Sequence, residues 1–481
     1  MNPQDAIKTM AHEQLDSDRL HLPALLQSAC EHAIEFLNTL DDRPVGYSPP
    51  EISPLGLPGA GLGAAGALQA FQTHYEPWLS GSAGPRYFAF VTGGSTPAAL
   101  IGDWLTATYD QNASDAGESS TRQIALHAIA MLRDLVGLPK AFDGVFVSGA
   151  TTSATVAMAT ARQWIGRARG IDVATEGAHA IGPIAVLSGT AHSSIPKALS
   201  VVGLGRRALR AVDTLPGREA VDVAALDAAL HAVKAEGLEP AIVVANAGTV
   251  NTCDFDDLQA IAALRERHRF WLHVDAAFGA FAAASPRFHT LLAGLSDADS
   301  ITIDGHKWLN VPYDSAVILT RHLDLQGETF QSTGAYLPAQ VRPDTFIHLT
   351  PENSQRLRAL ASWMTLAAYG REGYQAIVER CCDHAAWLGA QIERHPGFRL
   401  MAPVRLNGVC FTLAPESGAS VTTDMVTAYL ARLEETGVTF LTPTTLWGVP
   451  AARVAICNWR TDSADMERTW AAMQQARRTD F

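Results

Sequence analysis

The sequence contains few basic residues, and this shortage limits the partners that the protein can bind. Its 481 residues include 36 Lys and Arg against 49 Asp and Glu, for a formal net charge of −13. Because a strongly anionic surface repels phosphate backbones, we expect no nucleic-acid partner. A local pocket for a single phosphate group is still compatible with this charge, since net charge says little about one cleft.

Cysteine and long hydrophobic runs are also scarce. The six cysteines form no CxxC pair, so we expect neither a disulfide scaffold nor a metal site built on them. No apolar run reaches the roughly 18 residues of a membrane helix. The N-terminal sequence lacks the basic start and apolar core of a secretory signal. We therefore expect a soluble cytoplasmic protein with no membrane partner and no metal.

Several motif matches are discounted because their context is wrong. Gly61, Gly63 and Gly66 form a literal GxGxxG, but a dinucleotide site needs a preceding strand, and the preceding stretch is rich in proline. A flexible turn before a helix at Ala67–Trp78 is the preferred interpretation. No HExxH or GxSxG motif supports a zinc hydrolase or a serine hydrolase.

The pattern of apolar residues predicts three parts in the chain. Residues 1–95 are predicted to form a helical and extended arm, 96–375 a large domain and 376–481 a smaller α+β domain. In the large domain, apolar strands alternate with alanine-rich helices, which is typical of a mostly parallel α/β sheet with helices on both faces. Its predicted strands are Gly144–Val147, Ile184–Leu187, Ala241–Ala245, Phe270–Val274 and Ser300–Ile303.

Lys307 is the strongest candidate for a reactive amine among only five lysines. It follows the predicted strand Ser300–Ile303 and lies between His306 and Trp308. Burial there is expected to lower the pKa of its ammonium group and to free the amine for Schiff-base chemistry. For this segment alone, a lysine whose charge reaches the surface from a strand end would be the preferred interpretation.

Asp275 ends a second predicted strand. A carboxylate there is costly to bury unless it meets a positive partner, and a protonated pyridine nitrogen would be such a partner. The small residue Ala277 would let a flat ring lie close to the backbone. The alternative is a strand-end aspartate that caps the next turn.

Polar turns follow three other predicted strands. Ala150 and Thr151 begin a helix, whose free N–H groups and hydroxyls can hold a phosphate. His192 could stack on an aromatic ring or transfer a proton, and Thr249 supplies a hydroxyl. Taken singly, the alternatives are a helix N-cap, a structural histidine and an ordinary polar turn.

All five features lie at the carboxyl ends of predicted strands, where ligands bind in open α/β sheets. A phosphate site, a stacking histidine, a hydroxyl, an acid for a pyridine nitrogen and an amine together describe a site for pyridoxal 5'-phosphate. We therefore predict this cofactor.

The motifs resemble those of the group II pyridoxal-phosphate-dependent amino acid decarboxylases, a family that includes the aromatic-L-amino-acid decarboxylases. The resemblance extends from about Arg43 to Thr461, and its specific blocks are Ala191–Ser194, His273–Ala277 and His306–Trp308. It implies the aspartate-aminotransferase-like fold (fold type I). It also implies a homodimer with the active site at the interface and the N-terminal arm packed on the partner.

The resemblance implies a role for each site residue. Lys307 would form an aldimine with the cofactor, and Asp275 would keep the pyridine nitrogen protonated. His192 would stack on one face of the ring and Ala277 on the other, while Thr249 would lie near the ring hydroxyl and the substrate. The residues expected to contact the phosphate are Ala150, Thr151 and His306.

The segment 86–92 resembles the family's stretch that lines the substrate side-chain pocket. Its aromatic residues favour an aromatic L-amino acid, although a role in the core is equally open. Arg86 could instead serve a dicarboxylate substrate, which is less favoured. The residues expected to contact the substrate are Tyr87, Phe88, Phe90 and Thr92.

Tyr336 falls where family decarboxylases carry a mobile-loop tyrosine that helps to protonate Cα, before an arginine block that Arg356–Leu360 resembles. This implies conversion of an L-amino acid to the amine and CO2. Relatives with phenylalanine in the loop release an aldehyde by oxidative deamination, so an aldehyde synthase or another carbon–carbon lyase is the alternative, and a non-catalytic relative is less favoured. Asp304 is a departure, since many relatives carry asparagine there.

Overall fold

The computed structural model describes residues 13–46, 49–54, 56–113, 119–332 and 345–477. A seven-stranded sheet with the strand order β1-β7-β6-β5-β4-β2-β3 forms the centre of the molecule. The strands are β1 (Asp143–Val147), β2 (Val186–Ser188), β3 (Leu209–Ala211), β4 (Ala241–Asn246), β5 (Phe270–Asp275), β6 (Ser300–Asp304) and β7 (Ala316–Thr320).

Strand direction in this sheet places six carboxyl ends at one edge. β7 pairs antiparallel with both β1 and β6, whereas the other neighbouring strands pair in parallel. Strands β1 to β6 therefore point the same way. Every residue of β4 and β6 is buried, as expected for a largely parallel sheet covered on both faces. The predicted α/β fold class is confirmed.

Helices cover the sheet and connect its strands. The α-helices are α1 (Leu22–Thr39), α2 (Gly63–His74), α3 (Pro97–Tyr109), α4 (Thr121–Leu135), α5 (Ala150–Ala168), α6 (Val173–Glu176), α7 (Ser194–Val201), α8 (Val223–Ala235), α9 (Leu258–Ala263), α10 (Leu323–Phe330), α11 (Ala359–Arg394), α12 (Thr423–Glu435) and α13 (Ser463–Arg477). Residues 13–20 are helical as well. Helix α5 is rich in alanine, and its small side chains let it pack closely against β6, β7 and α7. Among the described helices, none is both long enough and apolar enough to cross a bilayer.

A second, antiparallel sheet follows in the C-terminal part, with the strand order β10-β11-β9-β8. Its strands are β8 (Phe398–Leu400), β9 (Gly408–Leu413), β10 (Thr442–Leu446) and β11 (Val449–Ala455). The long helix α11 precedes this sheet and crosses the predicted domain boundary at residue 375, with a non-helical Gly370 inside it. The division into three parts therefore stays a prediction.

The structure changes several predicted boundaries. The strand predicted at Ile184–Leu187 begins at Val186, and the strand predicted at Ala241–Ala245 extends to Asn246. Gly63 begins α2, and the described residues between 49 and 62 contain no strand. This context agrees with the rejection of a dinucleotide motif at Gly61–Gly66.

Candidate active site

A cavity at the carboxyl edge of the central sheet brings six of the predicted site residues together. The cavity has a volume of about 50 Å³. These residues come from the ends of β1, β2, β4, β5 and β6. The predicted residues on the wall of the cavity are Ala150, His192, Thr249, Asp275, Ala277 and Lys307.

Lys307 forms an ion pair at the base of this cavity. Its Nζ lies 2.8 Å from Oδ2 of Asp304, and the two side chains are only 16% and 2% exposed. Burial lowers the pKa of Lys307, but the negative charges of Asp304 and Asp275 raise it, and the net result lies above the ordinary value. The expectation that burial lowers this pKa is therefore wrong, because the ion pair outweighs desolvation.

Asp304 also contacts the start of helix α5. Its Oδ1 accepts a hydrogen bond from the backbone N–H of Ala150 at 2.7 Å and lies 3.6 Å from Nε2 of His306. One carboxylate therefore joins the reactive amine to the helix start that was predicted to hold the phosphate. The departure from asparagine at this position places a negative charge between two predicted binding groups.

The surroundings of His192 favour its neutral form. Burial lowers the pKa of its imidazole, and the positive charges of Lys307 and Arg453 lower it further, against the opposing effect of Asp275. The N–H of Ser194 donates to Nδ1 at 3.3 Å, so we assign the ring hydrogen to Nε2. An uncharged imidazole can lie against a positively charged ring without repulsion.

Asp275 occupies the last position of β5, in register with Asn246 of β4 and Thr302 of β6. Its Oδ1 accepts a hydrogen bond from the N–H of Ala277 at 3.2 Å. Asp275 therefore caps the following turn, as the alternative interpretation proposed, while its charge also acts on His192 and Lys307. The two interpretations are compatible, because a carboxylate can accept several hydrogen bonds.

The start of α5 contains two of the residues that were predicted to hold the phosphate. The helix begins at Ala150, and a Cβ built on the preceding Gly149 would lie 3.5 Å from Cε1 of His306, so that side chain lies close by. The Oγ atoms of Ser148 and Thr152 are 2.8 Å apart. N–H groups at a helix start, an acid at a strand end and a buried amine are the groups that pyridoxal phosphate requires, so the residues present fit this cofactor.

The residues predicted to contact the substrate do not lie on the cavity wall. Phe88 is 1% exposed and belongs to the hydrophobic core, whereas Phe90 is 57% exposed. The ring of Tyr87 stacks on that of Phe440, with centroids 5.3 Å apart. The hydroxyl of Thr92 lies 3.1 Å from that of Tyr313. The structure therefore places these four residues in four different environments.

The segment that carries them still lies directly against Lys307. A Cβ built on Gly93 would fall 1.7 Å from the carbonyl oxygen of Lys307, so only glycine allows this close approach. Arg86 is buried and its Nη1 binds Oδ1 of Asp465 at 2.7 Å. Because this guanidinium already has a carboxylate partner, a dicarboxylate substrate gains no support from it.

Two residues near the site were missed by sequence reasoning. Tyr313 stacks on His306, with ring centroids 4.4 Å apart, and Arg453 of β11 acts electrostatically on His192. Neither follows a strand of the central sheet, so the strand-end pattern could not reveal them. Tyr313 could have been noticed from its nearness to Lys307 in sequence, whereas Arg453 reaches the site through folding of the C-terminal part.

The predicted arginine block is held by acidic residues. Arg356 binds Oδ1 of Asp103 at 2.6 Å, and Arg358 binds Oδ1 of Asp314 at 3.0 Å and Oε1 of Glu352 at 3.2 Å. The predicted proton donor Tyr336 lies outside the described residues.

The family of the chain follows from its similarity to known proteins. Residues 68–414 match the family model described as "Pyridoxal-dependent decarboxylase conserved domain". The chain belongs to the pyridoxal-dependent decarboxylase family. It is a pyridoxal-phosphate-dependent amino acid decarboxylase, and the predicted cofactor and fold type are confirmed.

Two relatives cover most of the chain. It is 30% identical over 421 residues to an aromatic-L-amino-acid decarboxylase of Sus scrofa, covering 84% of each protein. To the aromatic-L-amino-acid decarboxylase of Mus musculus it is 28% identical over 464 residues, covering 92% of this chain and 94% of the relative.

Solved structures share the fold of this decarboxylase. Oryza sativa TDC with PLP and tryptamine has a TM-score of 0.86 and 21% identity, covering 95% of this chain and 97% of that one. Rhodiola rosea 4-hydroxyphenylacetaldehyde synthase has a TM-score of 0.84 and 19% identity, covering 95% and 98%. At these identities the likeness extends to the fold and not to the substrate.

Proposed function

We propose that the decarboxylase converts an aromatic L-amino acid to the corresponding amine and CO2. The observation that supports this most is the cavity in which Lys307, Asp275 and His192 lie together. The two relatives named above are aromatic-L-amino-acid decarboxylases. Arg86, which could have served a dicarboxylate substrate, is buried in an ion pair with Asp465.

We propose a role for each of the predicted residues in the cavity. When bound, pyridoxal phosphate supplies an electron sink for the bond that breaks at Cα. The Lys307 amine holds the cofactor, and the Asp275 carboxylate holds the proton on the pyridine nitrogen. The neutral imidazole of His192 stacks on that cationic ring, with Ala277 against the other face. Ala150, Thr151 and His306 would hold the phosphate at the start of α5.

The proton that replaces CO2 at Cα is proposed to come from Tyr336. This assignment depends on the position of Tyr336 in the sequence, before the arginine block. Donation of this proton gives the amine. If molecular oxygen and water react with the substrate in place of this protonation, the products are CO2, an aldehyde, ammonia and hydrogen peroxide, so the products identify the reaction.

A substrate panel tests the proposed reaction. The holoenzyme is incubated with L-tryptophan, L-tyrosine, L-phenylalanine and L-glutamate, and amine, CO2, ammonia and peroxide are quantified by mass spectrometry and coupled assays. We expect amine and CO2 in equal amounts from an aromatic substrate. Peroxide in proportion to turnover would identify an aldehyde synthase, and turnover of L-glutamate alone would refute the aromatic preference.

Peptide mapping tests the role of Lys307. Borohydride reduction of the holoenzyme should leave the cofactor's mass on the peptide that contains Lys307. The variant K307A should lose this label, whereas K197A, a change on helix α7, should keep it. A label on another lysine, or none at all in the unchanged enzyme, would contradict the proposed site.

We further propose that the enzyme is a homodimer whose N-terminal arm packs on the partner subunit. Helices α1 and α2 contain no buried residue among those described. Most exposed large apolar side chains of the described chain precede residue 110, and a stable monomer rarely leaves so many together. Examples are Leu22, Leu26, Ile34, Leu62, Phe71 and Trp78.

Sedimentation velocity tests the dimer. The double variant L26E/F71E places charges on both arm helices and should convert a dimer to monomers with loss of activity, because the proposed site is shared between subunits. W447E introduces the same charge at an exposed tryptophan outside the arm and should remain dimeric. An unchanged sedimentation coefficient in L26E/F71E would argue against the arm as the interface.

A further inference from the structure

Glu219 is a buried carboxylate beside the cofactor cavity, and the hydrogen bonds that it accepts from the described residues all come from neutral groups. It is 4% exposed. Its Oε2 accepts hydrogen bonds from Oγ1 of Thr249 at 2.6 Å, Oγ1 of Thr252 at 2.8 Å and the N–H of Thr252 at 3.0 Å. Its Oε1 accepts one from Nδ2 of Asn251 at 2.9 Å. All four donors belong to the turn that follows β4.

The neighbouring arginines do not form ion pairs with this carboxylate. Arg218 and Arg405 both pair with Asp254, at 2.6 Å and 3.4 Å. Arg453 interacts electrostatically with Glu219, but its Nε donates a hydrogen bond to Oγ1 of Thr442. A carboxylate differs from a neutral side chain of the same length because both of its oxygens accept hydrogen bonds and neither donates.

Because the carboxylate of Glu219 only accepts hydrogen bonds, it fixes the direction of the hydrogen bonds around Thr249. A hydroxyl has one hydrogen and two lone pairs, and the hydrogen of Thr249 must go to Glu219. One lone pair accepts the N–H of Asp254 at 2.9 Å. Thr252 also gives its hydrogen to Glu219, so the 3.2 Å contact between the two threonine hydroxyls adds no donor. A single lone pair of Thr249 is left for a ligand.

Thr249 also lines the cavity together with Lys307 and Asp275. Toward a ligand in that cavity, its hydroxyl can therefore only accept a hydrogen bond. An acceptor stabilises a protonated hydroxyl on its partner, whereas a donor would stabilise the deprotonated oxygen.

We propose that Glu219 is a positioning residue that makes Thr249 an acceptor for the ring hydroxyl of bound pyridoxal phosphate. This rests on the proposed function, in which Thr249 lies beside that hydroxyl. Glu219 thereby raises the pH at which the ring hydroxyl loses its proton, without touching the cofactor. A buried carboxylate on one loop controls the donor and acceptor pattern of a second loop.

The orientation of the turn is fixed from its other side. Oδ1 of Asn251 accepts a hydrogen bond from Oγ1 of Thr444 at 2.7 Å, on strand β10 of the second sheet. The amide of Asn251 therefore keeps Nδ2 toward Glu219. In the variant E219Q, the amide oxygen can occupy the Oε2 position and keep the hydrogen of Thr249, at the cost of one donor–donor contact with Asn251.

Two variants of similar size distinguish loss of the hydrogen-bond acceptor at position 219 from a change in side-chain volume. E219M removes the acceptor, whereas E219Q retains one acceptor oxygen. Absorbance of the holoenzyme is titrated with pH, and the midpoint between the two bands of the bound cofactor is measured together with its dissociation constant. We expect the midpoint of E219M to fall by about one pH unit, the equivalent of one hydrogen bond, and that of E219Q to stay near the unchanged enzyme.

Thr249 and Thr252 supply the controls. T249V should lower the midpoint as E219M does, and T249S should restore it. T252V removes another donor from the same carboxylate oxygen but leaves the hydroxyl of Thr249 intact, so its midpoint should not move even if its melting temperature falls. Should E219M not fold, E219D retracts the carboxylate from Thr249 and serves in its place.

The outcomes distinguish this inference from the proposed function. Suppose that Lys307 carries the cofactor, and that E219M (or E219D in its place) has the same titration midpoint and the same cofactor affinity as E219Q. Glu219 then has no positioning role. A shift of T252V as large as that of E219M would assign the effect to loop stability and would also overturn the inference. If the unchanged enzyme carries no cofactor on Lys307, the proposed function itself fails.

Discussion

Replacement of Asp304 by asparagine tests whether an ion pair controls the amine of Lys307. In the folded chain, Oδ2 of Asp304 lies 2.8 Å from Nζ of Lys307, and Oδ1 accepts the N–H of Ala150 at 2.7 Å. An asparagine must keep its oxygen toward that N–H, because its amide hydrogens would oppose another donor. Its NH₂ group then faces the ammonium of Lys307, so the variant loses an acceptor and gains a donor at the amine.

The expected change in the pKa of Lys307 follows from the energy of a charge-assisted hydrogen bond. Such bonds contribute about 1.5–3 kcal/mol, and one pKa unit corresponds to about 1.4 kcal/mol. With this contribution removed, burial is the largest remaining effect on the ammonium. We therefore expect D304N to lower the pKa of Lys307 by about one to two units.

The assay is the pH dependence of reductive methylation in cofactor-free enzyme, read at the peptide that contains Lys307. The small number of lysines in the chain makes each labelled peptide easy to assign. D383N serves as the control, because it removes one carboxylate from an exposed pair with Arg287. An unchanged or higher pKa in D304N, or an equal fall in D383N, would refute the argument that Asp304 holds the ammonium charged.

Two further predictions concern stability. Burial lowers the pKa of His273 to about 4, so between pH 7 and pH 5 the unfolded chain binds a proton that the folded chain does not. The free energy of unfolding of the unchanged enzyme, relative to H273Q, should therefore fall by about 2 kcal/mol over this range in denaturant titrations, and a constant difference would contradict the burial argument. A Cβ on Gly279 would lie 2.0 Å from the carbonyl oxygen of Ala247, so G279A should lower the free energy of unfolding by about 3 kcal/mol. G59A, where a Cβ meets no atom within 4 Å, should change it by less than about 0.5 kcal/mol, and equal effects of the two variants would contradict the close approach at Gly279.

The residues that sequence reasoning placed correctly share one geometric cause. Asp275 and Lys307 end or follow strongly apolar strands, and parallel strands bring their carboxyl ends to one edge. The pattern of strands alone therefore put both residues, with His192 and Thr249, at a common cavity. Strand β7 was not predicted, and its antiparallel pairing with β1 and β6 depends on contacts distant in sequence.

Charge and side-chain environment were harder to predict. The pKa of Lys307 rises instead of falling, because Asp304 lies close enough to outweigh burial. Phe88 and Phe90 are two positions apart in one aromatic segment, yet one is buried in the core and the other is exposed. A motif gives residue types and spacing, but the sign of a pKa shift depends on distances that only the folded chain defines.

The sequence by itself determined the family, the fold class, the cofactor and the strand ends that carry the chemistry, because hydrophobic periodicity and short motifs are local properties. The tertiary structure alone decided which groups pair. It placed Arg453 of the second sheet near His192, Tyr313 against His306, and Glu219 where it takes the hydrogen of Thr249. Arg453 and His192, like Glu219 and Thr249, belong to segments that are separated in the chain, and hydrogen-bond direction and electrostatic effects depend on distances of a few ångströms that no local pattern encodes.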